Sequence, residues 1–316
     1  MRIDKAVDQA RHFALVIFLV SLCSCGGGSS SSSPTPTPPV NGGTIPQFAH
    51  VFLIVEENHS YSDVVGNPGM PYFNSLIAKY GLATQYFADT HPSLPNYFML
   101  TTGATIALDD TFSATVTQNN VVRALIGGGK TWKCYAESLP SVGYLGANVT
   151  PYIKDHNPCT YFSDVINSST QAANVVPFTQ FATDTTNSTL PNYGLIIPDL
   201  QNDAHDCPPG LTTCNDAQKL ANTDLWLQNN LAPFLASPAF ANSLVILTFD
   251  EGQPTDLAHG GGQVSTIIMS PKSKVGYKST TFYQHESTLR LMMKVLAVSD
   301  LPGAAAAAPD MGEFFQ

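Results

Sequence analysis

Five apolar runs set the architecture: HVFLIVEE (50–57), TWKCYAE (131–137), NYGLIIPD (192–199), SLVILTFDE (243–251) and VSTIIMSP (264–271). Each is continuous rather than alternating, and rich in Val, Ile, Leu and aromatic residues. A strand with one wet face shows a period of two, whereas an unbroken apolar run marks a strand covered on both faces. Helical segments lie between the runs. MPYFNSLIAKYG (70–81) is expected to end on Gly81 as its C-cap, and NNVVRALIGG (119–128) opens on an Asn cap. NTDLWLQNNLAPFLAS (222–237) and HESTLRLMMKVLAV (285–298) are amphipathic. Strand alternating with helix predicts an α/β fold, a three-layer sandwich with a largely parallel central sheet. The polar stretches 104–119 and 140–190 are expected as long surface loops around the site.

The N-terminus stands apart. Arg2, Lys5 and Arg11 precede the apolar run FALVIFLVSL (13–22), and GGGSSSSSPTPTPP follows. A basic segment before a short apolar run is the pattern of a secretory signal, and this run falls well short of the ~20 residues of a membrane-spanning helix. LCSC (22–25) resembles a bacterial lipobox. Residues 1–24 are therefore expected as a lipoprotein-type signal, Cys25 as the lipidated first residue, 25–47 as a tether and 48–316 as the catalytic domain. The plainer alternative is an ordinary cleaved signal with two incidental cysteines. Either way the chain is expected to be exported, as a cell-envelope lipoprotein or a secreted protein.

Four cysteines remain, Cys134, Cys159, Cys207 and Cys214, an even number that points to disulfides in an exported chain. Cys207 and Cys214 flank a Pro-Pro-Gly loop and favour a local bridge, with Cys134–Cys159 as the complement. A four-cysteine metal site has no C-x₂-C spacing to support it. The chain carries net charge −10, and nothing basic is clustered. That argues against nucleic acid as a partner and against electrostatic docking on anionic lipid, so the membrane is expected to be met only through an anchor at Cys25. Beyond Pro39 no second linker interrupts the sequence, which predicts one domain.

In a largely parallel sheet, ligands bind beyond the carboxyl ends of the strands. Polar residues collect at three such ends: Glu56, Glu57 and Asn58; then Asp199, Asn202, Asp203, His205 and Asp206; then Asp250 and Glu251, with His259 close behind. Strand ends are often polar, but three acidic clusters and two histidines in a chain with only 12% charged residues exceed that. Carboxylates, an amide and imidazoles suit a divalent ion such as Zn, Mn, Fe or Ca. A metal beside a serine can depress the hydroxyl pKa and hold an oxyanion, which is machinery for phosphoryl transfer. Ser93 stands between two prolines in THPSLPNY (90–97), where φ is fixed. No Walker loop and no G-x-S-x-G is present.

VFLIVEENHSY, THPSLPNYFMLTTG, WKCYAESLP, KDHNP, PDLQNDAHD, LTFDEG and HGGGQVSTIIMSP occur in the order found in the bacterial phosphoesterase family, which the chain resembles from about His50 to Gln316. That family holds secreted acid phosphatases and, in another branch, phospholipases C. It looks like a branch of the alkaline phosphatase-like superfamily, where nucleotide pyrophosphatases carry a Thr-x-Pro-Asn nucleophile motif. Ser93-Leu94-Pro95-Asn96 is similar to it.

The resemblance implies Ser93 as nucleophile and Glu57, Asn58, Asp203, His205, Asp250, Glu251 and His259 as metal ligands. It implies Asn96 as a donor to a phosphoryl oxygen. His91, His156 and His285 are candidates for phosphate contact or leaving-group protonation, each with packing as its ordinary role. Two departures leave the metal count open. Asp250-Glu251 stands where two-zinc relatives carry Asp-His, and Asp199 and His205 are six apart where those relatives have D-x₃-H. Asp199 is thus a ligand, a supporting group or a turn residue. The expected activity is metal-dependent phosphomonoester hydrolysis through a phosphoserine, with phosphoinositide phosphates among the substrates. A phospholipase C-like phosphodiesterase is the alternative, in a branch usually longer at its C-terminus. A non-catalytic surface lipoprotein on the same fold is opposed by the presence of Ser93, Asn58 and Asp250.

Overall fold

The apolar runs do form the middle of a sheet. The computed structural model describes residues 43–316; the leader, Cys25 and most of the expected tether lie outside them. Among these residues the strands are β1 (His50–Glu56), β2 (Gly81–Ala83), β3 (Trp132–Ala136), β4 (Val175–Pro177), β5 (Tyr193–Ile197), β6 (Ser243–Phe249), β7 (Thr266–Met269) and β8 (Lys278–Ser279). They make one sheet in the order β4-β3-β5-β1-β6-β7-β2-β8. The pairs from β4 through β6 are parallel, β7 is antiparallel to both β6 and β2, and β8 is parallel to β2. β5 and β6 are buried at every residue and β1 at all but His50.

The helices are α1 (Tyr61–Val64), α2 (Pro71–Lys79), α3 (Ser93–Thr102), α4 (Val121–Gly127), α5 (Ser163–Ile166), α6 (Ser169–Ala172), α7 (Thr179–Asn187), α8 (Asp216–Leu235) and α9 (His285–Val295). α2 packs with α8, while α3 and α4 pack on α9. These groups are the outer layers that strands buried on both faces require. Among the described residues no helix is long and apolar enough to cross a membrane.

Several local expectations are corrected. Gly81 is not a cap: α2 closes on Tyr80 in an extended conformation, and Gly81 opens β2. Its lack of a side chain makes room for Phe314, since a Cβ there would lie 2.5 Å from that ring. The stretch 140–190 is not loop throughout. It holds edge strand β4 and helix α7, whose buried Asp184 accepts hydrogen bonds from Lys133 Nζ at 2.5 Å and Tyr135 at 2.7 Å. α8 begins at Asp216, six residues before the expected start, because Asn215 and Gln218 form a capping box. Residues 43–47 lie against the domain. Gly43 is so close to Gly312 that a Cβ would meet its carbonyl oxygen at 2.2 Å, and Gln47 Nε2 donates to Lys294 O at 3.0 Å. The Cys134–Cys159 and Cys207–Cys214 bridges are both present.

The sheet's centre depends on one residue without a side chain. Gly194 of β5 pairs with Phe52 of β1, whose ring meets Phe181 of α7 and Phe234 of α8 edge-on at 5.2 Å. A Cβ on Gly194 would lie 2.5 Å from Phe52 Cδ1 and 3.2 Å from Tyr135 Cε2. Overpacking of this kind costs about 1–3 kcal/mol. Gly194→Ala should lower the free energy of unfolding in urea by an amount in that range, with a lower midpoint at unchanged m; an unchanged midpoint would contradict this packing.

Candidate active site

β5, β1 and β6 lie side by side and run the same way, so their carboxyl ends share one edge. The chain leaving those ends delivers Asp203, Glu57 with Asn58, and Asp250 with Glu251. All four carboxylates are buried. Ser93 arrives from the other side as the first residue of α3, 5% exposed.

Glu57 is the hub. Ser93 Oγ donates to its Oε2 at 3.0 Å, and Tyr97 OH donates to its Oε1 at 2.5 Å. Ser93 and Tyr97 are four residues apart on α3 and share a helix face. The Tyr97 ring also stacks on His156, centroids 5.3 Å apart and planes 13° from parallel. His156 Nδ1 in turn lies 3.4 Å from Glu57 Oε1 and 3.3 Å from Asp203 Oδ2. Glu57, His156 and Asp203 place ligand-type atoms within 4.8 Å of one another, all buried, a geometry that could hold a metal ion. The loop bearing His156 is tied down by the Cys134–Cys159 bridge and by Tyr161 OH, which donates to Asp155 at 2.6 Å.

A second set of oxygens surrounds Asn58, a residue at φ +48°. With its nitrogen turned inward, the Asn58 amide donates to Glu57 Oε2 at 3.0 Å and to Asp250 Oδ1 and Glu251 Oε1, each at 3.2 Å. An amide nitrogen has two hydrogens for those three acceptors. With its oxygen inward, at 3.4 Å from Ser93 Oγ, the same space is ringed by oxygens alone. Asp203 Oδ2 and Asp250 Oδ2 are buried without hydrogen-bond partners. Among the described residues the ion-pair partners of these four carboxylates are only histidines, His156 for Glu57 and Asp203, and His91 for Glu251. Taking a carboxylate from water costs several kcal/mol without a compensating partner. Oxygens with an imidazole beside them fit a divalent cation by type, and the orphaned atoms supply the reason one would bind.

The same crowding moves the acids. Burial, and then the charges of Asp250 and Asp203, holds Glu57 well above the usual carboxylate range. Burial raises Asp203 likewise. Asp250 is pushed up to about 6 by burial, and Glu251 to about 10 by burial and then by Asp250. His156 is lowered by burial.

Other expected residues stand elsewhere or do other work. His285 is lowered to about 4 by burial. Its Nε2 faces the Asp250 carbonyl at 2.6 Å and its Nδ1 faces Tyr86 OH at 3.1 Å. Both nitrogens are therefore engaged, which removes it as a free acid. Asn96 is fully buried and braces the approach to Ser93. Its oxygen accepts from the backbone of Asp89 at 3.1 Å and Thr90 at 3.2 Å, and its nitrogen donates to Thr90 O at 2.7 Å and Pro92 O at 3.2 Å. The same nitrogen lies 3.3 Å from Glu251 Oε2, so its two hydrogens are shared among three acceptors and the amide reaches the carboxylate cluster. His205 contributes its backbone N–H to Asp203 Oδ1 at 2.8 Å, while its ring bonds Asp206 at 2.9 Å.

His259 is exposed, and its ring packs on Phe87 and Phe282 at 4.3 and 4.8 Å. The glycines after it serve close packing. A Cβ on Gly260 or Gly261 would strike the carbonyls of Asp89 or Thr90 at 2.0 and 2.3 Å. Asp199 is a turn residue, accepting from Ser138 Oγ at 2.6 Å and the Gln201 backbone at 3.1 Å. His91 sits at the rim, 19% exposed, its Nδ1 3.1 Å from Glu251 Oε2 but outside hydrogen-bond alignment. The residue that sequence reasoning passed over is Tyr97; its place one turn after Ser93 was the available signal.

The fold is similar to that of solved proteins of the alkaline phosphatase superfamily. A protein of the alkaline phosphatase superfamily from Vibrio parahaemolyticus superposes with TM-score 0.59 at 10% identity, over 84% of this chain and 70% of that one. The phosphonate monoester hydrolase of Agrobacterium radiobacter gives 0.54 at 13%, over 84% and 77%. These likenesses concern the fold. The model of the phosphoesterase family matches residues 67–299. A probable acid phosphatase of Kluyveromyces lactis is 35% identical over 81% of this chain. A phosphatidylinositol-3-phosphatase of Mycobacterium tuberculosis is 30% identical over 84% of this chain and 82% of its own length. The chain belongs to the phosphoesterase family. It spans 59% of the length of the yeast relative.

A raised carboxyl takes up its proton more readily in the folded protein than in the unfolded one. It supports the fold below the ordinary carboxylate range, and that support is lost as pH climbs through the raised value. With cations chelated, Tm should fall as pH rises from about 5 to about 9, through the range spanned by Asp250 and Glu251. Added Mn²⁺ should restore more at pH 8 than at pH 5. Calorimetry with and without EDTA checks both, and a Tm in EDTA that does not respond to pH would contradict the buried acidic cluster.

Proposed function

We propose that this chain is an exported, cation-dependent phosphomonoesterase of the acid phosphatase type, with Ser93 as its nucleophile. The observation that supports it most is Ser93 Oγ itself. It stands at the start of a ten-residue helix, donates to Glu57 Oε2 at 3.0 Å and borders the oxygen-ringed space at Asn58. The positive end of the α3 dipole favours a phosphoryl group there.

In the proposed reaction Ser93 Oγ bonds to phosphorus as the bond to the ester oxygen breaks. The hydroxyl proton passes to Glu57 Oε2. The departing oxygen takes a proton from the His91–Glu251 pair at the rim, where the Asp256 carbonyl, 3.0 Å from His91 Nε2, orients the imidazole. Water then bonds to phosphorus, giving a proton back to the His91–Glu251 pair, as the bond to Ser93 Oγ breaks and Glu57 returns the proton to that oxygen, releasing inorganic phosphate. A divalent cation held by Glu57, Asn58, Asp250 and Glu251, with His156 and Asp203 alongside, would supply Lewis acidity toward the phosphoryl oxygens and a lowered serine pKa. Asn96 and His285 act as supports for the loop and for the turn at Asp250.

Relatives named acid phosphatase and phosphatidylinositol-3-phosphatase favour monoesters, phosphoinositide phosphates among them. Export is supported by the leader pattern and by two disulfides among the described residues. Anchoring through Cys25 is part of the same proposal.

The test is kinetic. Wild-type protein should hydrolyse p-nitrophenyl phosphate in preference to bis-p-nitrophenyl phosphate and phosphatidylcholine, and should lose activity in EDTA. Ser93→Ala should lower kcat by about three orders of magnitude or more with its melting curve intact. Near-normal turnover in that variant would remove Ser93 from the role, and preference for the diesters would favour a phospholipase C-like enzyme.

A further inference from the structure

We propose that Tyr97 is a positioning residue for the cation site, its hydroxyl fixing Glu57 and its ring fixing His156. The inference rests on the cation proposed above, and adds a residue on the nucleophile's own helix that controls how tightly the cation is held.

The geometry is specific. Glu57 presents two oxygens, and Ser93 and Tyr97 take one each, Oε2 at 3.0 Å and Oε1 at 2.5 Å. A carboxylate bonded at both ends cannot rotate freely, so the oxygen facing Asn58 and Ser93 keeps its direction. Tyr97 is 1% exposed, and its hydroxyl has no water to turn to. The same side chain lies face to face with His156. Among the described residues that imidazole makes no well-aligned hydrogen bond; it has close approaches to Glu57 and Asp203, the stacking contact, and an edge contact with the His205 ring at 6.1 Å. Its orientation toward Asp203 Oδ2 therefore depends on ring packing, in which Tyr97 supplies the nearer, face-to-face partner. Because Tyr97 follows Ser93 by one helical turn, α3 carries the nucleophile and the group that aligns two neighbouring ligand residues on one rigid face.

Tyr97→Phe deletes the hydroxyl and keeps the ring; Tyr97→Leu deletes both. Mn²⁺ alone serves as the probe, with free Mn²⁺ followed by electron paramagnetic resonance on the full chain. Groups that orient metal ligands change affinity by about 10–100-fold when removed. Tyr97→Phe should weaken Mn²⁺ binding at the lower end of that range, and Tyr97→Leu should weaken it further. At saturating Mn²⁺ the phenylalanine variant should recover kcat for p-nitrophenyl phosphate to within a few-fold of wild type. The control is Tyr193→Phe on β5, a buried hydroxyl without a partner, which should leave Mn²⁺ affinity unchanged. Melting curves in EDTA separate loss of fold from loss of affinity. Wild-type Mn²⁺ affinity in a folded Tyr97→Phe protein overturns the proposal. Failure of the wild-type protein to bind Mn²⁺ overturns it together with the cation it rests on, and the two failures are told apart by the wild-type titration.

Discussion

The structure depends on one electrostatic constraint: the buried carboxylates of Glu57, Asp203, Asp250 and Glu251 meet at a single sheet edge, and among the described residues their ion-pair partners are histidines. Each is costly alone, and together they raise one another's proton affinity. Either protons or a cation must offset that repulsion. The strand order produces the crowding, because β5, β1 and β6 are neighbours and parallel. A sheet that placed those strands apart would scatter the same residues over separate loops.

Much of the surrounding sequence serves to hold Ser93 against that edge. The 88–92 segment is bonded to the 261–262 backbone through Ala88 N to Gly262 O at 2.9 Å and Gly261 N to Ala88 O at 3.1 Å. Glycine is required there because the two backbones touch. Asn96 closes the loop from inside, and Asp110 Oδ1 accepts from Leu94 N at 3.0 Å at the mouth of α3. Of the motif residues that a chemical reading assigns to substrate or metal, His259 covers an aromatic surface, while Asn96 both braces the loop and reaches Glu251 Oε2. The placement of Ser93 is thus a property of backbone contacts as much as of the prolines on either side of it.

The central strands were legible because burial on both faces leaves an unbroken apolar run, and the three acidic strand ends were legible because few charges occur elsewhere. α7 and β4 were not, since a Thr-rich helix around a buried Asp184 and a three-residue edge strand carry no apolar period. The C-terminal segment is equally silent in sequence, yet Phe314 and Phe315 are buried, Asp310 pairs with Arg290 and Lys294, and Glu313 accepts from Ser279 and Tyr283. Within the candidate site, residue types pointed to the sheet edge where the acids gather but could not rank the histidines. His156 enters the carboxylate cluster through a disulfide-tethered loop, while the His205 ring turns to Asp206 and the His259 ring to two phenylalanines. Such choices are made by tertiary packing, which spacing along the chain does not encode.

The most direct measurement is anomalous diffraction from crystals of the whole domain grown with Mn²⁺. A peak within bonding distance of Glu57, Asn58 and Ser93 is the predicted result. Well-ordered crystals with these side chains defined and no peak among them would contradict it.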